Sequence, residues 1–248
     1  MNVPVFAYHS LDASDSIVSM SPPRFERQME FLRRNGYRSL SLHEYHAGLE
    51  RGERLPPRSF VLTFDDAYHN VYEIAFPLLR KHGFSATIFA VTADVGRTPG
   101  WQQSAGVPQL PLCSWDQLAE MQAAGFRVQP HSRTHPDLTT LDDRALREEI
   151  SGSRDEIRDR LGAPGEFFCY PHGKHDDRVV DVVRSLGFRG AVTVRFGMND
   201  AATDPFRWRR VATRRFRKHS WAFRLSLTES GCRLIAAAAL PKKLAARR

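Results

Sequence analysis

Cysteine is scarce in this chain: Cys113, Cys169 and Cys232 are odd in number, far apart and without a Cys-x-x-Cys spacing. That suggests neither a disulfide framework nor a cysteine-built metal site, and fits a reducing compartment. Long apolar runs are missing as well. No stretch approaches the ~18 uninterrupted apolar residues of a membrane span, and the start MNVPVFAYHS lacks the basic region and apolar core of a secretory leader. These absences predict a cytoplasmic protein. Acidic residues are nearly absent from one region only. Residues 207–248 carry thirteen Lys or Arg against Glu229 alone, a charge of +12, so residues 1–206 carry −4 of the overall +8. No nucleic-acid motif accompanies this basic block, so no nucleic-acid partner is expected. The apolar stretch 234–240 and the basic end after it suit peripheral contact with an anionic inner-membrane surface, or else a terminal helix packed on the body of the protein.

What is present is core-forming material, 42% hydrophobic and 10% aromatic over 248 residues, enough for one large domain. One punctuation recurs: a polar helical segment ends in Gly and passes at once to an aromatic, as in RRNGY, RKHGF, QAAGF and RSLGF. Gly36, Gly83, Gly125 and Gly187 fit left-handed helix ends, each leading into a strand. Ser21 is a candidate helix cap, and Ser41 with Glu44 and Ser114 with Gln117 have capping-box spacing. Strands are expected near 3–8, 37–40, 59–64, 85–91, 126–129, 167–170 and 190–194. Their alternation with helices predicts a parallel α/β sheet closed into a barrel, residues 1–212 as one domain and 213–248 as a basic extension. The long connection 92–114 is expected to line a substrate site.

The unusual polar residues follow strand ends. Tyr8 and His9 end the first strand, Asp65 and Asp66 follow SFVLTF, His131 and His135 follow FRVQ, and Tyr170, Pro171, His172 and Gly173 follow EFFC. In parallel α/β folds that edge carries ligands and chemistry. A His-x-x-x-His turn alone is weak evidence, since two histidines also pack or cap in loops. Joined by a carboxylate from another strand, it supplies the three ligands of a catalytic zinc shell. Neighbouring carboxylates on an extended chain point apart, so one can ligate while the other takes a proton from water; the plainer alternative is a helix N-cap at Asp65 and Asp66, and both roles can coexist. His9 is the candidate proton donor to a leaving amine, against a packed strand histidine. A backbone N–H at His172 or Gly173 is the candidate oxyanion donor.

TFDD, HSRTH and FFCYPHG, in this order, resemble the NodB-type polysaccharide deacetylases, carbohydrate esterase family 4, over about residues 3 to 212. The resemblance implies a distorted (β/α) barrel that removes acetyl groups from glycans with a divalent metal, usually zinc. It implies Asp65 as general base, Asp66, His131 and His135 as metal ligands, and the His172 N–H at the oxyanion. Two departures stand out. Cys169 occupies the place of an Arg that steadies the catalytic Asp in many members, and His219 in RRFRKHSWAF does not fit their late Leu-x-His motif. AYHSL instead is similar to the subgroup in which that motif is permuted to the first strand, supporting His9. Arg210 is then the candidate substitute beside Asp65, and Trp208 a candidate wall of the acetyl pocket, although an aromatic near a barrel strand is more often core. The expected activity is metal-dependent hydrolysis of N-acetyl groups on an N-acetylglucosamine-type cell-surface or exopolysaccharide glycan. The alternatives are a small non-sugar amide as substrate on the same scaffold, or an inactive glycan-binding protein.

Overall fold

The computed structural model describes residues 3–213 and 220–238. Its strands are β1 (Val5–Tyr8), β2 (Arg38–Ser39), β3 (Ser59–Phe64), β4 (Thr87–Ala90), β5 (Arg127–Pro130), β6 (Phe167–Cys169), β7 (Gly190–Phe196) and β8 (Trp208–Ala212). The helices are α1 (Pro22–Arg34), α2 (Leu42–Glu50), α3 (Phe76–His82), α4 (Trp101–Ser104), α5 (Trp115–Ala123), α6 (Asp143–Leu161), α7 (Asp177–Ser185), α8 (Ser220–Leu225) and α9 (Glu229–Ala238). The strands pair in parallel in the order β5-β4-β3-β1-β8-β7-β6, with β2 beside β3. Between β5 and β6 a side chain stands in for the ladder. The Gln129 Oε1 accepts from the backbone N–H groups of Glu166 and Phe167, each at 2.7 Å, and brings the barrel close to closure. This is the distorted (β/α) barrel expected from the sequence.

The seven expected strands are all present, with ends displaced by no more than two residues. The four glycines after helices adopt positive φ, and Ser41 and Ser114 form full capping boxes. Ser21 differs: its side chain caps nothing. Its second helical residue is Pro23, which has no N–H to donate, and the N–H of Arg24 goes to the Ser21 carbonyl instead. A helix beginning at Asp65 and Asp66 is also corrected. The chain there turns through left-handed Asp66 and Ala67, and helical winding begins only at His69, passing through a wide π-type turn at Val71–Ala75 into α3.

Strand alternation decides what reaches the site. Val5, Val61, Phe89, Phe167, Val192 and Trp208 fill the barrel interior, closed from below by Leu42 and Tyr45 of α2. The residues after them, including Phe6, Leu62 and Phe168, join the clusters under the surrounding helices. Continued by twos toward the C-terminal edge, the interior rows arrive at His9, Asp65, His131, Cys169 and Arg210.

Beyond β8, α8 and α9 pack on the barrel flank. Phe223 stacks on Phe6 with ring centroids 5.2 Å apart, and Ala222 and Cys232 are buried beside it. Among the described residues no helix is long and apolar enough to cross a membrane. His219 and the basic end 239–248 lie outside the described residues. Because Phe223 fills a place against β1, Phe223→Ala should lower unfolding free energy by about 3–5 kcal/mol in chemical denaturation. An unchanged midpoint would show that α8 contributes nothing to the core.

Candidate active site

Asp65 is buried at the top of the barrel and gripped from below. Arg210 Nη1 donates to Asp65 Oδ1 and Nη2 to Oδ2, each at 2.7 Å, a planar two-point contact. The guanidinium is itself fixed: Nε donates to the Thr193 carbonyl at 2.8 Å and Nη1 also to Thr63 Oγ1 at 2.9 Å. Cys169 Sγ lies 3.5 Å from Nη2. Burial works to raise the Asp65 pKa, and the Arg210 charge, with His9 and His131 behind it, overrides that and holds the carboxyl well below the usual range. The group is therefore an anion at neutral pH. Arg210 thus holds Asp65 by both oxygens, the steadying position for which it was the candidate substitute in place of Cys169.

Asp66 is arranged differently. Its backbone φ of 69° turns the side chain out of the strand direction, and its Oδ1 lies 3.4 Å from His131 Nε2 and 3.5 Å from His135 Nε2. That oxygen is buried with no hydrogen-bond partner. Burial raises the Asp66 pKa, and the two imidazoles outweigh it and keep the carboxyl below its ordinary value. His131 sits within hydrogen-bond reach of the Cys169 carbonyl through Nδ1 at 2.7 Å, so that nitrogen donates and Nε2 is left as the ligating atom. Burial, with His131 and His172 adding to it and Asp66 opposing, pulls His135 down to about 3, so its ring is neutral as a metal ligand must be. One oxygen and two nitrogens within 4.8 Å of one another fit a divalent cation. Asp65, His131 and Cys169 form a second such group. It is the poorer cage, because Arg210 occupies both Asp65 oxygens, and burial together with Asp65 raises the Cys169 thiol away from the thiolate a metal needs.

Around this centre lies a cleft of about 250 Å³. His9 stands at its side, its Nε2 3.6 Å from Asp65 Oδ2 and its side chain 28% exposed. His172 lines the cleft with φ 57°, its ring 4.4 Å from that of His135. Gly173 and Tyr170 line it too. The Gly173 N–H is taken by the Tyr170 carbonyl at 2.8 Å, which removes it as an oxyanion donor, and the Tyr170 hydroxyl donates to the Phe206 carbonyl. Buried Pro171 shapes the turn and stays outside the cleft lining. Trp208 is a correction. Two residues before Arg210 on the same face, it lies one layer deeper in the barrel, against Tyr45 and Phe167, and does not reach the cleft.

The connection 92–114 reaches the site as expected through Trp101, Ala105 and Val107. Trp101 was not identifiable beforehand: its ring covers His135 at 4.3 Å while Nε1 donates to Asp94 Oδ2. Tyr68 is a second residue missed. It is fully buried at the cleft, with its hydroxyl beside the Asp66 carboxylate. A positional signal exists for both, an aromatic two residues after the Asp pair and one inside the longest loop, but neither spacing specifies a role. Backbone strain also concentrates here. Among the described residues six non-glycines have positive φ, and five of them, Asp66, Ala67, Ser132, His135 and His172, belong to the three turns that build the centre.

Arg210→Met would leave Asp65 buried without a counter-charge, so it should destabilise the fold by about 3–5 kcal/mol at pH 7. In the unaltered protein Asp65 has a depressed pKa, so its stabilising share is complete above about pH 4 and declines as pH falls below that. In the variant the largest opposing charge is gone, burial is left against His9 and His131 only and raises the pKa, so protonation relieves the penalty. The stability gap measured by denaturation should therefore narrow from pH 7 toward pH 4, and a gap that widens in acid would contradict this reading of the pair.

A polysaccharide deacetylase family model matches residues 52–191, more than half of the chain. Among curated proteins, the poly-β-1,6-N-acetyl-D-glucosamine N-deacetylase of Staphylococcus aureus is 24% identical over 196 residues, 75% of this chain and 63% of that protein. The chain spans less than two thirds of the length of the curated relatives it matches. Among solved structures, IcaB from Ammonifex degensii is 27% identical with a TM-score of 0.73, covering 85% of this chain and 91% of that one. BC0361, a polysaccharide deacetylase from Bacillus cereus, is 27% identical with a TM-score of 0.71, covering 86% and 65%. With the barrel and the strand-end motifs in place, the match over residues 52–191 places this chain in the polysaccharide deacetylase family.

Proposed function

We propose that this chain is a metal-dependent deacetylase hydrolysing N-acetyl groups on an N-acetylglucosamine-type sugar of a cell-surface or exopolysaccharide glycan. The observation that carries the reading is the split between adjacent carboxylates. Asp65 is held by Arg210 on both oxygens, whereas Asp66 turns an unpartnered oxygen toward two imidazole nitrogens. Two nitrogens and one oxygen suit zinc. A divalent cation held by Asp66, His131 and His135 would supply Lewis acidity to the reaction.

The chain's own groups supply the rest. Asp65, an anion fixed in direction, accepts the proton of the attacking water, and its rigid hold keeps that acceptor from swinging onto the cation. The His172 backbone N–H lies in the turn that faces the cleft and donates to the developing oxyanion, while its ring, kept below the ordinary histidine pKa by burial, His131 and Lys174, packs neutral against His135. His9, beside Asp65 and open to the cleft, delivers a proton to the amine nitrogen as the C–N bond breaks. Trp101 covers one face of His135 and limits water access from that side. Support for the sugar comes from the staphylococcal relative, whose name specifies a β-1,6-linked N-acetylglucosamine polymer.

Acetate release from β-1,6- and β-1,4-linked N-acetylglucosamine oligomers tests the proposal. Asp65→Asn should cut the rate by about 10²–10⁴-fold while the bound metal stays at the unaltered level, because the exchanged group serves as base and not as ligand. His135→Ala should lose metal and activity together. Full activity in Asp65→Asn would refute the assignment of the base, and metal loading without acetate release from any such oligomer would refute the substrate.

A further inference from the structure

The turn that carries His131 and His135 is held from outside as well as by its own strand. Ser132 and His135 stand at φ 64° and 62°, backbone that a residue with a Cβ enters only at a cost in free energy. Such a turn keeps its shape where its surroundings over-determine it, and the partners of its peptide groups show how. The carbonyls of Ser132 and Arg133 accept from the N–H groups of Thr92 and Ala93 at 3.3 and 3.0 Å, and Ser132 Oγ accepts from the His135 N–H at 3.0 Å. The two N–H groups between, those of Arg133 and Thr134, both go to Glu149 Oε2 at 2.9 Å, and Glu149 Oε1 accepts from Thr134 Oγ1 at 2.7 Å.

Glu149 reaches the turn from α6, sixteen residues beyond Arg133. The helix is shaped to receive it. Gly152, in the interior of α6, is an unfavourable helix residue, and a Cβ there would come within 2.6 Å of Arg133 Cδ. The stem of Arg133 occupies that gap, and its Nε donates to Glu156 Oε1 at 2.8 Å. Glu149, Gly152 and Glu156, three and four residues apart, share one side of the helix. A carboxylate that accepts from two adjacent N–H groups makes a stronger and more directional contact than a neutral acceptor would. It acts between the two left-handed residues, at the point where a change of backbone angle would swing His135 away from His131.

We propose that Glu149 is a positioning residue for the metal centre: by fixing the two peptide groups at the middle of the turn, it sets the approach of His135 to the ion beside His131 and Asp66, and so strengthens metal binding without touching the metal. This rests on the reading of Asp66, His131 and His135 as ligands. Glu149 stands outside the cleft lining, so its effect passes through the turn.

The test is the zinc affinity of the full chain, measured by competition with a chromogenic chelator, beside chemical denaturation of the same samples. Glu149→Ala should bind zinc about 10–100-fold more weakly. Glu149→Gln, whose amide oxygen can accept the same two N–H groups while its NH2 turns to Thr134 Oγ1, should stay close to the unaltered protein. So should Glu148→Ala, which removes an equal charge from a carboxylate 3.7 Å from Arg133 Nη1. A Glu149→Ala protein that unfolds more easily yet binds zinc as tightly as the unaltered chain would reduce the contact to a structural one and overturn the proposal. Equal losses in Glu149→Gln or in Glu148→Ala would make charge the cause and overturn it too. Hydrogen exchange in the metal-free unaltered chain checks the hold itself, with the Arg133 and Thr134 amides protected; free exchange of both overturns the proposal. Protected amides in a chain that binds no zinc would instead sink the metal-centre reading, and the role of Glu149 with it, while the hold on the turn stood.

Discussion

The pairing of Arg210 with Asp65 governs the rest of the site. Two charges sit inside a parallel barrel on top of an apolar column of Val61, Phe89 and Trp208, where an isolated carboxylate would take up a proton. The guanidinium keeps Asp65 charged and directs both of its oxygens, and Thr63 and Thr193 absorb donors that the carboxylate cannot. Such a pair is weak evidence for stability in itself, because desolvation offsets much of the attraction. Its consequence is chemical: an aspartate so occupied is a poor ligand, and in the function proposed above coordination falls to its neighbour.

Two adjacent carboxylates thereby acquire different roles through their surroundings. Asp65 ends an interior row of the barrel, and Asp66 departs from strand geometry into a left-handed turn that aims it at His131 and His135. The histidine turn repeats the device, with Ser132 and His135 in the same backbone region, and His172 does so across the cleft. Strain of this kind survives where the scaffold fixes both ends of a short turn, and here each turn starts from a buried strand.

Much of this was legible in the sequence because it is local. The Gly-aromatic junctions marked the helix-to-strand steps, the capping boxes at Ser41 and Ser114 marked helix starts, and their position just after strand ends put Asp65 and His131 at one edge. What escaped depends on contacts distant in sequence. Arg210 could be suggested only as a substitute near the end of the barrel, since its partner lies 145 residues away. Trp208 looked like a pocket wall until the depth of its layer was known, and Trp101 gave no sign that its ring would settle on His135. The departure of Asp66 and Ala67 into left-handed backbone, in place of a helix cap, was equally invisible, because neither residue type favours that conformation strongly enough to announce it.

The division of labour between the two aspartates can be observed directly by anomalous diffraction from crystals of the zinc-loaded protein. The account predicts one ion contacted by Asp66, His131 and His135, with Asp65 still held by Arg210 and outside the coordination sphere. An ion between Asp65, His131 and Cys169, or Asp65 released from Arg210 and bound to the metal, would contradict it.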